Sequence, residues 1–167
     1  MLELPEVWGT QTLDELAGHV ARCLDEVPDD VPAGAHLCSG DAGHEHFKQH
    51  ESLALQVQMM NAVGERARRL VSWFSIIVPQ AVRDPAYFGP LKHLRVEDVT
   101  EPYFALVPYH PAEQAAGTTE EQVRLIDERL GAREWGICTE CGMGRVEREE
   151  VPAMLDCHRE ILTRFGA

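Results

Sequence analysis

Four short runs of aromatic and aliphatic residues, each followed by polar or turn residues, constrain the fold of this chain more than any other feature. Their length and composition are typical of buried strands. The runs are AHLCSGD at 35–41, VSWFSIIVP at 71–79, YFALVPYHP at 103–111 and EWGICTECG at 134–142. They predict strands near 35–39, 72–78, 103–109 and 134–139.

Helical patterns precede, separate and follow these runs. A first helix is expected at 11–27, where Thr12 and Glu15 have the spacing of a capping box. Further helical patterns cover 51–70, 86–94, 119–130 and 151–165. Thr118 and Thr119 are the expected cap of the helix at 119–130. Strands that recur every 30 to 40 residues match βα units, whose crossovers build a parallel sheet. We therefore predict one α/β domain over 1–167, a helix followed by (βα)4.

Composition excludes several classes of partner. The 28 acidic residues against 15 basic ones give a net charge of −13, which is opposite to the basic surface that binds nucleic acid. No run approaches the roughly 20 apolar residues of a membrane span, and the N-terminus lacks a secretory signal pattern. These observations predict a cytoplasmic protein with neither a nucleic-acid nor a membrane partner.

Chemistry in parallel α/β folds gathers where the strands end. His36 and Cys38 lie two apart on the first strand, so they share a face, and an imidazole with a thiolate suits zinc. The alternative is a buried histidine beside a core cysteine. Cys138 and Cys141, at the end of the fourth strand, have a spacing that holds a metal ion or forms a redox pair.

Other histidines and cysteines are secondary candidates. His44, His46 and His50 follow the first strand, where such residues are either loop surface or ligands, and His110 ends the third strand. Asp41, His44 and His110 are candidates for substrate binding at the same end of the predicted sheet. Cys23 and Cys157 fall in helical patterns and are predicted to be core thiols.

The segments HLCSGDAGHEHF, WFSIIVP, ALVPYHP, WGICTECGMGR and VPAMLDCHREI resemble the C-terminal half of the barrel in the cobalamin-independent methionine synthase superfamily, over roughly residues 33 to 165. The resemblance is closest to its short, uncharacterised relatives. It implies a Zn²⁺ site made by His36, Cys38 and Cys141. It also implies that zinc activates a thiol, homocysteine in that family, for methylation by a folate methyl donor.

The sequence departs from the family pattern in one ligand. The family places a glutamate on the next strand, but here that strand reads WFSIIVP, with Ile77 or Val78 at the expected position. Glu140, Cys138, Asp41 or His44 would have to supply the fourth ligand instead. A neutral fourth ligand would change the charge at the metal and the acidity of a thiol bound to it.

The sequence also departs in length. A complete barrel has eight βα units, and this chain has four, so the resemblance implies half of a TIM barrel. Such a half leaves an apolar sheet face and two unpaired edges. We expect a homodimer or a separately encoded complementary half. The predicted function is a zinc-dependent, methyltransferase-like protein, and the alternative is a non-catalytic fragment that binds a metal or a partner.

Overall fold

The computed structural model describes residues 12–38, 41–42, 45–46, 50–109 and 114–165, with the backbone alone at 41–42, 45–46 and 145. Helices and strands alternate along it as the sequence predicts, and the parallel sheet of four strands is consistent with a half barrel. The helices are α1 Leu13–Asp25, α2 Ala54–Arg66, α3 Pro85–Phe88, α4 Thr118–Leu130 and α5 Val151–Phe165. The strands are β1 Gly34–Leu37, β2 Asp41–Ala42, β3 Glu45–His46, β4 Trp73–Ile76, β5 Glu101–Val107 and β6 Gly136–Thr139.

The main sheet has the order β1-β4-β5-β6, and all three pairs of neighbours run parallel. All carboxyl ends of the strands therefore meet at one edge, the arrangement that gathers chemistry in βα folds. The strands β2 and β3 form a separate antiparallel pair that the sequence patterns did not predict. Two 3₁₀ segments, Gly89–His93 and Met143–Arg145, complete the described elements.

One face of the sheet is covered by the helices. Side chains of the central strands on that face, including Phe74, Ile76, Phe104 and Leu106, are wholly buried and belong to one core with residues of α1, α2, α4 and α5. Each such side chain contributes roughly 1.5–3 kcal/mol through burial. This alternation of faces fixes the register, because a slip of one residue would turn the apolar set outward.

The opposite face, which we call the open face, is less apolar than a half barrel predicts. It carries His36 and Glu101, which are exposed, and Ser75 and Tyr103, which are half-buried. Trp73 on the same face is 36% exposed. Since polar groups and aromatic rings occupy this face, it tolerates water better than an aliphatic face would.

One helix end and one cysteine differ from the sequence prediction. The Thr12–Glu15 capping box forms as expected. However, Gly117, with φ of 82°, is the residue that precedes α4, while the Thr118 hydroxyl accepts a hydrogen bond from Arg83 at 2.9 Å. Cys23 was predicted in the core but is exposed. Its position in α1 lies off the buried stripe, so the helical pattern alone misassigned its face.

No helix within the described ranges combines the length and apolar character that crossing a bilayer requires.

Candidate metal centre

The first two candidate ligands are placed by the end of β1. His36 lies on the strand, paired in register with Ser75 of β4, and Cys38 follows the last strand residue, Leu37. The spacing of two directs both side chains toward the open face. Both residues are exposed, so the interpretation of a buried histidine beside a core cysteine is wrong.

The third candidate ligand lies in a turn after β6. The strand ends at Thr139, whose hydroxyl donates a hydrogen bond to the carbonyl oxygen of Cys141 at 2.6 Å. The backbone N–H of Cys141 donates to the Tyr109 hydroxyl at 2.8 Å. Both backbone polar groups of Cys141 are therefore engaged, and the turn has a defined position.

His36, Cys38 and Cys141 converge. One ligand atom from each, a ring nitrogen and two sulfurs, lies within 4.8 Å of the other two. Ligands of a tetrahedral zinc site are separated by about 3.5–3.8 Å, given Zn–S near 2.3 Å and Zn–N near 2.0 Å. Shifts of about an ångström in exposed side chains would close that difference. The donor set, one imidazole and two thiolates, is one that zinc prefers.

The imidazole of His36 has a second partner that fits this use. Its Nδ1 lies 2.8 Å from the Ser75 hydroxyl oxygen. If Nδ1 donates this hydrogen bond, the lone pair is on Nε2, which is then the nitrogen available to a cation. Histidine ligands in metal sites generally use their other nitrogen in this way.

Cys138 and Glu140 do not join the three convergent side chains among the described residues. Cys138 is half-buried, and burial, followed by the charges of Cys141 and Glu140, raises the pKa of its thiol to about 12. A thiol that is protonated at neutral pH is a poor nucleophile, which argues against the redox interpretation of the Cys-x-x-Cys motif. Burial and the Glu140 charge together also raise the pKa of Tyr87.

The fourth ligand stays a prediction. Ile77 and Val78, at the position where the family has a glutamate, are both buried apolar side chains. His44, His110 and the side chain of Asp41 lie outside the described residues. Three protein ligands with one position left for water or substrate is the usual composition of a catalytic zinc site.

Sequence reasoning missed Ser75 and Tyr109, the partners of His36 and Cys141. The serine in WFSIIVP is the only hydroxyl in a run of apolar residues, a signal that would have singled it out. Tyr109 carried no comparable signal, because its role depends on a turn 32 residues away.

Comparisons with protein-family models, with curated proteins and with solved structures find no significant match to this chain. The methionine synthase resemblance therefore depends on the quoted motifs alone.

Proposed function

We propose that this chain is a zinc-dependent, methyltransferase-like half barrel that activates a small thiol, such as homocysteine, for methyl transfer. The observation that supports it is the convergence of His36, Cys38 and Cys141 within 4.8 Å at the carboxyl end of the sheet. These residues come from the first and last strands of the sheet. Their meeting is not explained by local sequence.

The roles of the side chains follow from their chemistry. Cys38 and Cys141 offer thiolates, and His36 offers Nε2, while Ser75 engages Nδ1 of the same ring. Zinc bound there would lower the pKa of a thiol in the fourth position, so that a nucleophilic thiolate forms at neutral pH. The substrates would be a small-molecule thiol and a methyl donor of the folate type, as the family resemblance suggests.

A second candidate function is a non-catalytic half barrel that binds a metal or a partner. Two cavities, of about 820 and 450 Å³, open at the amino ends of the strands, near Asp98 and Arg133 and near Tyr103 and Trp135. They lie at the end of the fold that usually serves stability, not catalysis. Neither cavity is lined by His36, Cys38 or Cys141, and this favours the alternative.

A partner would satisfy both free edges of the half barrel. In the described sheet, β1 and β6 are the terminal strands. A two-fold axis along the barrel axis would pair β6 of each copy with β1 of the other, in the parallel sense, so that one symmetry operation closes both edges. We therefore favour a homodimer over a separately encoded half.

We place the protein in the cytoplasm. None of the five cysteines forms a disulfide, and thiols stay reduced most readily in the cytosol.

The experiment that tests the proposal combines metal content, mass and activity of the purified chain. We expect about one zinc per chain, a mass in solution of twice one chain, and methyl transfer to homocysteine from a folate methyl donor. A zinc-loaded protein without turnover on any thiol would support the non-catalytic alternative. Protein that takes up no zinc even when zinc is added in excess would contradict the proposal and would leave only the partner-binding form of the alternative.

A further inference from the structure

The three candidate ligands lie on or directly after the two edge strands of the sheet, whereas Ser75 and Tyr109 lie on or directly after the two central strands. The edge strands are separated by three inter-strand gaps, about 14 Å along a flat sheet. The ligand atoms nevertheless lie within 4.8 Å of one another. Sheet curvature and the segments that follow β1 and β6 must therefore bring the ligands inward, over the ends of β4 and β5.

Ser75 holds the ligand that comes from β1. His36 and Ser75 are register partners on neighbouring parallel strands, and Nδ1 and Oγ are 2.8 Å apart. His36 is exposed, so packing does little to fix its ring. An unrestrained imidazole can rotate and exchange tautomers, and both freedoms would have to be lost when a metal binds. The hydrogen bond to Ser75 restrains the ring beforehand, and where Nδ1 is the donor it also selects the tautomer with its lone pair on Nε2.

Tyr109 holds the ligand that comes from β6. Its ring packs against the hydrophobic core, and its hydroxyl accepts the backbone N–H of Cys141 at 2.8 Å. The turn that carries Cys141 is thus tied to the core through a side chain that follows β5. Thr139 contributes the second tie, through the carbonyl oxygen of Cys141.

We propose that Ser75 and Tyr109 are positioning residues that preorganise His36 and Cys141 for metal binding. This inference rests on the proposed function, because it concerns the same site. Ser75 and Tyr109 are not part of the family pattern. Their proposed role also distinguishes the edge strands from the central strands. The edge strands and the segments after them provide the ligands, and Ser75 and Tyr109, on or after the central strands, orient them together with Thr139 of β6.

A merely structural role for Ser75 predicts a different result. An exposed hydrogen bond between two side chains contributes little to folding, so its removal should leave the unfolding of the metal-free protein almost unchanged. If Ser75 positions His36, its substitution should instead weaken metal binding in the folded protein. Loss of an outer partner of a ligating histidine typically lowers metal affinity about 10-fold to 100-fold.

The test measures zinc affinity by competition with a chromophoric chelator, together with the absorption spectrum of the Co²⁺-substituted protein. We expect Ser75→Ala to bind zinc about 10-fold to 100-fold more weakly and to shift the Co²⁺ spectrum. Ser75→Thr, which keeps the hydroxyl, should restore both. Ser72→Ala is the matched control, since Ser72 precedes the same strand and its hydroxyl accepts the Ala33 N–H, at 3.3 Å.

Tyr109→Phe keeps the ring and removes the acceptor of the Cys141 N–H. We expect zinc affinity to fall by about 3-fold to 10-fold, as for one net hydrogen bond. Tyr103→Phe is the control, because the Tyr103 hydroxyl bonds to Glu101 at the other end of the strand.

The outcomes separate this inference from the proposed function. If the wild-type chain binds no metal, the proposed function fails, and the positioning roles fail with it. If the wild type binds zinc while Ser75→Ala and Tyr109→Phe bind it equally well, only the positioning roles are overturned. Reduced affinity in Ser75→Ala that Ser75→Thr does not restore would also count against the role of the hydroxyl.

Discussion

The two ends of the open face use side chains in different ways. At the amino ends of the strands, aromatic rings lie across glycines of the neighbouring strands, Trp73 over Gly34 and Tyr103 over Gly136. At the carboxyl ends, an imidazole and two thiols converge. On this one face, side-chain shape therefore determines which residues fit at the amino end of the strands. The chemistry of metal-binding side chains determines it at the carboxyl end.

At the amino end of the open face there is almost no space for a side chain at Gly34 or Gly136. A Cβ at position 34 would lie 2.2 Å from the Trp73 carbonyl oxygen and 2.3 Å from its ring. A Cβ at position 136 would lie 2.4 Å from the Tyr103 ring. Flat contact between aromatic rings and strand glycines is a known stabilising device in sheets. The comparison teaches that substitutions at this end should change folding, whereas those at the other end should change metal binding.

The largest expected effect comes from removing a thiolate. We predict that Cys38→Ser and Cys141→Ser each lower zinc affinity by more than about 100-fold, beyond the loss expected for an outer partner, because a neutral hydroxyl is a poor zinc ligand. The free energy of unfolding of the metal-free protein should change little for Cys38→Ser, since that side chain is exposed. Zinc titration with a competing chelator measures the first effect, and urea unfolding the second.

Cys23→Ser is the matched control for these ligand substitutions. Cys23 is an exposed thiol on α1, outside the convergent group. The Cys23→Ser variant should bind zinc with the affinity of the wild type. Stoichiometric zinc at wild-type affinity in Cys38→Ser or Cys141→Ser would remove those residues from the metal centre and erase the difference between the two ends.

Gly34→Ala tests the opposite end. The nearest obstacle to the new Cβ is a backbone carbonyl, which moves only with its strand. We expect a loss of about 1–3 kcal/mol in the free energy of unfolding, the usual range for overpacking, with zinc affinity of the folded protein unchanged. Urea unfolding and a zinc titration on the same preparation measure both. A large fall in zinc affinity without destabilisation would show that the two ends are not separable.

Gly136→Ala should be milder. Its obstacle is the Tyr103 ring, and a side chain can turn aside where a backbone carbonyl cannot. We expect about 1 kcal/mol of destabilisation. The double variant with Tyr103→Leu should recover part of it, since the obstructing ring is then absent. A double-mutant cycle in urea measures this coupling, and strict additivity would mean that ring and glycine do not interact.

The sequence was sufficient for the order of the helices and of the four strands of the main sheet, because each apolar run and each helical pattern is a local signal. The short pair β2 and β3 was not predicted. The sequence was less reliable at boundaries. The pattern at 51–70 predicts a longer helix than α2, which ends at Arg66. Arg68 and Arg69 leave the helical path and bind Asp25 and the carbonyl oxygens of Val27, Pro28 and Val31. These are tertiary contacts, which a local pattern does not contain.

The ligand cluster was predictable only through motifs. Residue types and spacings identified two separate pairs, His36 with Cys38 and Cys138 with Cys141, and the family resemblance then implied the set of His36, Cys38 and Cys141. Ser75 could be singled out as a hydroxyl in an apolar run, but its pairing with His36 required the strand register. The open face was predicted to be apolar, and its polar groups emerged only once alternation along four strands was known. Interactions between distant strands need the topology before they can be inferred.

Tyr103→Phe should give the smallest effect, one that depends on pH. The Tyr103 hydroxyl donates to Glu101 at 2.5 Å, and this hydrogen bond, with burial and the Glu101 charge, raises the pKa of Tyr103 above its usual value of 10.0. The folded state thus keeps a proton that the unfolded state loses first. Its contribution to stability is complete below pH 10 and is lost as the pH rises through the native pKa.

The phenylalanine variant has no such group to titrate. The difference in free energy of unfolding between wild type and variant, below about 1 kcal/mol for an exposed polar pair, should therefore stay constant up to about pH 9 and shrink as the pH rises above about 10. Other titrating groups cancel in that difference. Urea unfolding of both proteins across this range measures it. If the two stabilities fall in parallel, Tyr103 contributes through its ring alone, and the amino end of the open face is determined wholly by shape.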